Sequence, residues 1–171
     1  MKIILACEGK TEVSLINSLI EKGTLCFHND IIDEGPCVLR QLDKIKPLIS
    51  ILPLAEPIFV FRIGDTLKDE ISLKGFEMRK EYIHSIKICT KPEIEMLVII
   101  QEGLLLEYNK SEFYGNPKQF LKSKKFDFDP NEYFRRHNMR SSIIKYRKNK
   151  KHNKDEYYLA DLIDWCNDGI Y

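Results

Sequence analysis

KIILACEGKTE, running from Lys2 to Glu12, opens with a short run dominated by Ile and Leu. That run is too short for an independent helix, and it meets Gly9 and then a helical pattern. It therefore predicts a buried strand, a turn and a helix. Open α/β sheets carry their chemistry at such junctions, outside the carboxyl ends of the strands. Two carboxylates stand there, Glu8 at the strand's end and Glu12 in the first helical turn.

Outward from this junction, strands and helices alternate. Val13, Leu15, Ile16, Leu19 and Ile20 recur at helical spacing, and Gly23 follows as a stop. Thr24 to Ile32 predicts a second strand. Gly35-Pro36 breaks the chain, and Pro36 suits the start of a helix whose apolar face runs from Val38 to Leu52. IFVFRI, from Ile58 to Ile63, predicts a third strand, apolar almost throughout and so central. Leu73 to Ile83 reads as weakly helical, Ser85 to Cys89 as a fourth strand, and Ile94 to Gly103 as a helix with Thr90 as its N-cap.

The alternation from Met1 to about Gly103 predicts an α/β fold, with a parallel sheet of about four strands flanked by helices. From Leu104 onward the pattern is helical, broken at Gly115-Asn116-Pro117 and between Asp127 and Pro130, and ending in a helix from Glu156 to Asn167. One structural unit is expected, with residues 1–103 as the α/β part and 104–171 as a helical extension packed on it.

Three groups of acids could converge at one sheet edge. Glu8 is the first, with Glu12 beside it; the other reading of Glu12 is an acid complementing the helix dipole. Asp65, Asp69 and Glu70 follow the third strand, and in a parallel sheet its end lies on the same edge as that of the first. Converging carboxylates repel unless a cation neutralises them, which Mg²⁺ held by one or two carboxylates would do. Glu93 follows the fourth strand, although a capping box with Thr90 would account for it alone. Gly9-Lys10-Thr11 is not a phosphate-binding P-loop, because that motif needs a glycine where Ile4 stands.

A strand, then Glu-Gly, then a helix, with a later apolar strand ending in an acidic turn, resembles the toprim domain. That fold is shared by topoisomerases, bacterial primases and nucleases, including the overcoming-lysogenization-defect nucleases and small toprim-like proteins of phage-defence systems. The resemblance covers Met1 to Gly103. It implies a Mg²⁺- or Mn²⁺-dependent nuclease acting on DNA or RNA, with Glu8 and Asp65 holding the metal, Asp69 or Glu93 completing the site, and Lys10 positioning phosphate. The family's Asp-x-Asp falls on Ile63 and Asp65, so its first acid is replaced. A second reading follows: a catalytically reduced nucleic-acid-binding subunit of a larger assembly with an ATPase partner.

The formal charge of the 171 residues is only +1, but the residues from Lys118 to Lys154 are strongly basic. Arg135, Arg136, Arg140, Lys145, Arg147, Lys148, Lys150 and Lys151 lie among Tyr133, Phe134 and Tyr146. Such density suits phosphate neutralisation, with aromatic faces for unpaired bases; the other reading is a solvated helical face. The five cysteines form no CxxC pair and read as reduced and structural. No run approaches a membrane helix and no signal-peptide layout opens the chain, so a cytoplasmic protein is expected.

Overall fold

The computed structural model describes residues 1–25, 30–31, 35–38, 42–65, 74–90, 94–126, 128–149 and 157–165. Five strands make one sheet: β1 (Lys2–Cys7), β2 (Cys37–Val38), β3 (Ile58–Gly64), β4 (Ile83–Cys89) and β5 (Tyr157–Tyr158). Their order is β2-β1-β3-β4-β5, and every neighbouring pair is parallel. β1 and β3 are covered on both faces, which explains why their sequences are apolar almost throughout. In register, Cys7 lies opposite Ile63, Gly64 opposite Cys89, and Cys89 opposite Tyr158.

Alternation along the strands divides the core in two. Ile3, Leu5, Cys7, Phe61, Ile63 and Ile88 face one side, where α1 (Lys10–Glu21), α3 (Ile94–Gln101) and the C-terminal helices pack. Ile4, Ala6, Ile58, Val60 and Ile83 face the other, against Ile49 of α2 (Leu42–Ile51) and Phe76. α1 ends at Gly23 and α3 at Gly103, both at positive φ, +59° and +72°. At each, the glycine amide and the next amide turn back to carbonyls of the last helical turn, Ile20 and Leu19 or Ile100 and Ile99. A Cβ would be strained in that backbone conformation, so the stops depend on glycine.

Of the predicted second strand, residues 26–29 and 32 lie outside the described residues. Of Thr24 to Ile32, the described residues give one isolated parallel bridge, Ile31 to Ile3. The strand beside β1 is Cys37–Val38, where a helix start was expected, and α2 begins only at Leu42. The sheet also has five strands rather than four. Tyr157–Tyr158, expected within the last helix, pairs with β4, and α8 (Leu159–Asp164) starts after it. Tyrosine favours strands, and the open edge of β4 offers it hydrogen bonds. Within Leu73 to Ile83 the described helix is a 3-10 turn, Glu77–Tyr82.

Beyond α3 come α4 (Leu105–Lys110), α5 (Pro117–Ser123), α6 (Pro130–Arg136) and α7 (Arg140–Asn149). The two expected breaks are helix starts. The side chains of Asn116 and Asp129 accept the amides of Gln119 and Glu132, with proline at the first helical position. Phe120, Phe134, Met139, Ile143 and Leu162 belong to the same buried cluster as α1 and the sheet. Residues beyond 103 thus complete the core and supply a strand. Among the described residues no helix is long and apolar enough to cross a membrane.

Candidate functional site

The order β2-β1-β3-β4-β5 reverses direction between β1 and β3, because the chain leaves β1 for one side and returns across it to the other. At such a switch point the connections diverge, leaving a crevice at the carboxyl ends of the two strands. Glu8 follows β1 and Asp65 follows β3. The Asp65 amide donates to Glu8 Oε2 at 2.9 Å, and the Glu8 amide donates to the Ile63 carbonyl at 2.8 Å. Gly64 permits this contact: a Cβ there would lie 2.4 Å from Glu8 Oε2 and 2.7 Å from its Cβ. No real side chain tolerates that approach.

Glu12 joins the pair. It is the third residue of α1, with Gly9 as the N-cap. The backbone amides of its own residue and of Gly9, in the first turn, act on its carboxylate to lower its pKa. Burial raises its pKa, and the charges of Glu8 and Asp65 raise it further, against the lowering effect of those amides. Glu12 therefore serves the helix start and also feels both acids of the switch point. Burial likewise pushes the Cys7 thiol up, with Glu12 adding to it, so this cysteine is a neutral core group. Cys7 and Cys89 are buried reduced thiols; Cys26 and Cys166 lie outside the described residues.

Ile63, where the family pattern has an acid, is 1% exposed and packs in the main core cluster. An acid there would need its own neutralising partner inside an apolar layer. Asp69, Glu70 and Glu93 lie outside the described residues, as do Lys150 and Lys151. Lys10 is exposed in the first turn of α1. Among the described residues no three His, Cys, Asp or Glu side chains come together closely enough to hold a metal ion. The acids present suit Mg²⁺ in its sparse mode, with one or two carboxylates, several waters and substrate oxygens, rather than an all-protein cage.

The basic tract divides between opposite ends of the molecule. α1 runs away from the acidic edge for its 12 residues, about 18 Å. At its far end Lys22 Nζ donates to the carbonyls of Phe134 and Arg135, at 2.8 and 3.1 Å. Arg135 and Arg136 therefore sit at the amino edge of the sheet. The Ser142 hydroxyl bonds Gln101, at the end of α3, at 2.6 Å. Because α3 also leads away from the carboxyl edge, Arg140 starts α7 at the far end too.

α7 then returns toward the acids. Arg147 pairs with Asp161 at 2.8 Å and lies 5.0 Å from the Tyr158 ring centroid, at the end of β5. Lys145 and Lys148 are exposed on this returning part of α7. Arg147 is committed to the α7–α8 contact. Tyr133, Phe134 and Met139 are core residues, and the Tyr133 hydroxyl bonds Glu102 at 2.7 Å. Those two aromatics are not base platforms.

Sequence reading missed Arg62 on β3. It is 6% exposed, and its Nε has no hydrogen-bond partner among the described residues. Its only sequence signal is a lone charge in an apolar strand. No family model matches the chain, and no curated protein or solved structure matches it.

Proposed function

We propose that this chain is a toprim-like, Mg²⁺- or Mn²⁺-dependent nuclease that hydrolyses phosphodiester bonds in DNA or RNA. The observation that carries the reading is the bond between Glu8 and the Asp65 amide at the switch point of a parallel sheet. A bound divalent ion would stabilise charge on the scissile phosphate and lower the pKa of an attacking water. Glu8 and Asp65 would hold it, with Asp69 or Glu93 as further ligands. Glu8 is fixed in place for that role by the Asp65 amide, which donates to its Oε2. Glu12, whose pKa burial and the two neighbouring acids raise, would gain in ionisation from a cation nearby. Lys10, at the opening of α1, and Lys145 and Lys148 on α7 would neutralise substrate phosphates.

The second reading, a nucleic-acid-binding subunit that has lost catalysis and works with an ATPase partner, rests on Ile63. In either reading the protein is cytoplasmic and suits a phage-defence effector. The deciding experiment incubates the purified chain with end-labelled single- and double-stranded DNA and RNA, in Mg²⁺, Mn²⁺ or EDTA. Metal-dependent cleavage that disappears in Glu8→Ala is the expected result. Salt-sensitive binding without cleavage in any metal would select the second reading, and cleavage unaffected by Glu8→Ala would remove the first.

A further inference from the structure

We propose that the cavity at the carboxyl ends of β4 and β5 takes the edge of an unpaired nucleobase, so that the substrate is single-stranded where it crosses the acidic edge. This placement rests on the phosphodiester reading of Glu8 and Asp65 and narrows the nucleic acid they act on. Cys89 and Thr90 where β4 ends, Leu97 of α3, Ile143 and Arg147 of α7 and Ala160 of α8 are among the walls, which enclose about 20 Å³. That is room for one water-sized group. The register sets Cys89 opposite Gly64, and the Thr90 amide donates to the Gly64 carbonyl at 3.0 Å. The cavity therefore begins one strand spacing, about 4.8 Å, from the glycine against which Glu8 packs.

Thr90, expected from the sequence to cap α3, is 6% exposed, and its hydroxyl makes no hydrogen bond among the described residues. There the only unpartnered side-chain atoms sealed from solvent are Arg62 Nε and Trp165 Nε1, so the Thr90 hydroxyl has open space before it, in the wall of this cavity. A buried hydroxyl left unpaired costs stability. The rest of the lining is almost wholly apolar. One hydroxyl in an apolar slot suits a flat ring with a polar rim, and because a hydroxyl both donates and accepts, it takes a carbonyl or an amino group alike. The enclosed space admits the exocyclic group of a base and leaves the ring at the mouth. Arg147, with 29% of its side chain exposed, stands at that mouth, over the Tyr158 ring at 5.0 Å and paired with Asp161 at 2.8 Å. Its charge is already answered, and its planar guanidinium offers a surface on which a base stacks. In a duplex the exocyclic groups are taken by pairing and the faces by stacking, so an unpaired base is what fits.

The test is fluorescence anisotropy of two labelled oligomers of equal length, oligothymidylate and an abasic strand with tetrahydrofuran in place of each nucleoside, titrated with the full chain in EDTA so that nothing is cut. The parent should bind oligothymidylate roughly fivefold more tightly or better. Thr90→Val keeps the side-chain shape and loses the hydroxyl; it should weaken oligothymidylate binding by roughly twofold or more and leave the abasic strand unchanged, a split that a merely structural role would not give. Ala160→Leu fills the cavity and should reduce the preference for bases in the same way, with a melting temperature level with or above the parent's. Should either variant fail to fold, the other decides. A smaller preference in the parent, no binding of either strand, or oligothymidylate binding weakened less than this in the folded variants would overturn the site and leave the cavity to a water molecule. Thr90-dependent preference for bases without cleavage in any metal would remove the nuclease reading and keep the site; Glu8-dependent cleavage with a preference indifferent to Thr90 would do the reverse.

Discussion

The backbone amide of Asp65 donates to Glu8 Oε2 at 2.9 Å, joining residues 57 positions apart at the carboxyl ends of β1 and β3. A neutral amide side chain can keep that hydrogen bond while losing the charge. Glu8→Gln should therefore melt within a few degrees of the parent, whereas Glu8→Ala should lose about 1–3 kcal/mol by leaving the amide unsatisfied. Both should abolish metal-dependent cleavage, and urea denaturation alongside a cleavage assay separates the two effects.

Gly64 has no Cβ because Glu8 occupies the space, with Oε2 2.4 Å from where that atom would be. Gly64→Ala should push the Glu8 side chain aside and cost about 1–3 kcal/mol through overpacking. Cleavage should fall at least tenfold in a protein that is still folded. Near-parental activity in Gly64→Ala would show that the observed Glu8 position is not the working one.

The Glu12 carboxyl titrates above its ordinary value of 4.5 because it is partly buried and faces Glu8 and Asp65. The folded state therefore binds the proton more tightly than the unfolded chain. Its stabilising effect is complete below the unfolded value and is lost as pH rises through the folded one. Glu12→Gln should gain stability relative to the parent at pH 7 and show little difference at pH 4. Millimolar Mg²⁺ should narrow the pH 7 gap, and thermal melts across the pH range with and without the ion measure it.

The two ends of the basic tract should behave differently. Lys145→Ala with Lys148→Ala, near the acidic edge, should lower the salt slope of short-oligonucleotide binding by about 1.8, at roughly 0.9 per phosphate contact on duplex DNA. Arg135→Ala with Arg136→Ala, at the amino edge, should leave short substrates unaffected and weaken only those long enough to reach both edges. Fluorescence anisotropy against salt, at two oligonucleotide lengths, distinguishes them.

Arg79 is buried and its guanidinium donates to the carbonyls of Ile49 and Leu52, around the end of α2. Charged donors to terminal carbonyls satisfy groups that the helix cannot. Arg79→Ala should cost about 1.5–3 kcal/mol in urea denaturation while leaving cleavage by the folded protein unchanged.

Much of this molecule is written locally. The apolar runs Ile3–Leu5 and Ile58–Ile63, the stops at Gly23 and Gly103, and the proline starts at Pro117 and Pro130 each depend on neighbours within a few positions. They were readable in order along the chain. So was the chance that Glu8 and Asp65 converge, because parallel strands put their carboxyl ends on one edge.

Other features depend on residues far apart in sequence, and only the tertiary structure decided them. Tyr157–Tyr158 became a strand because β4 had an open edge, and Cys37–Val38 pairs with β1 where a helix start was expected. The basic residues from Arg135 to Lys148 look continuous in sequence, yet α6 and α7 run in opposite directions and carry them to opposite ends. Arg62 reads as one charge in an apolar strand until register sets it beside Lys87. Sequence determined which segments are buried and where each helix stops, since those are short-range properties of side chain and backbone. Which charges meet was settled by strand order and helix direction, which no local pattern encodes.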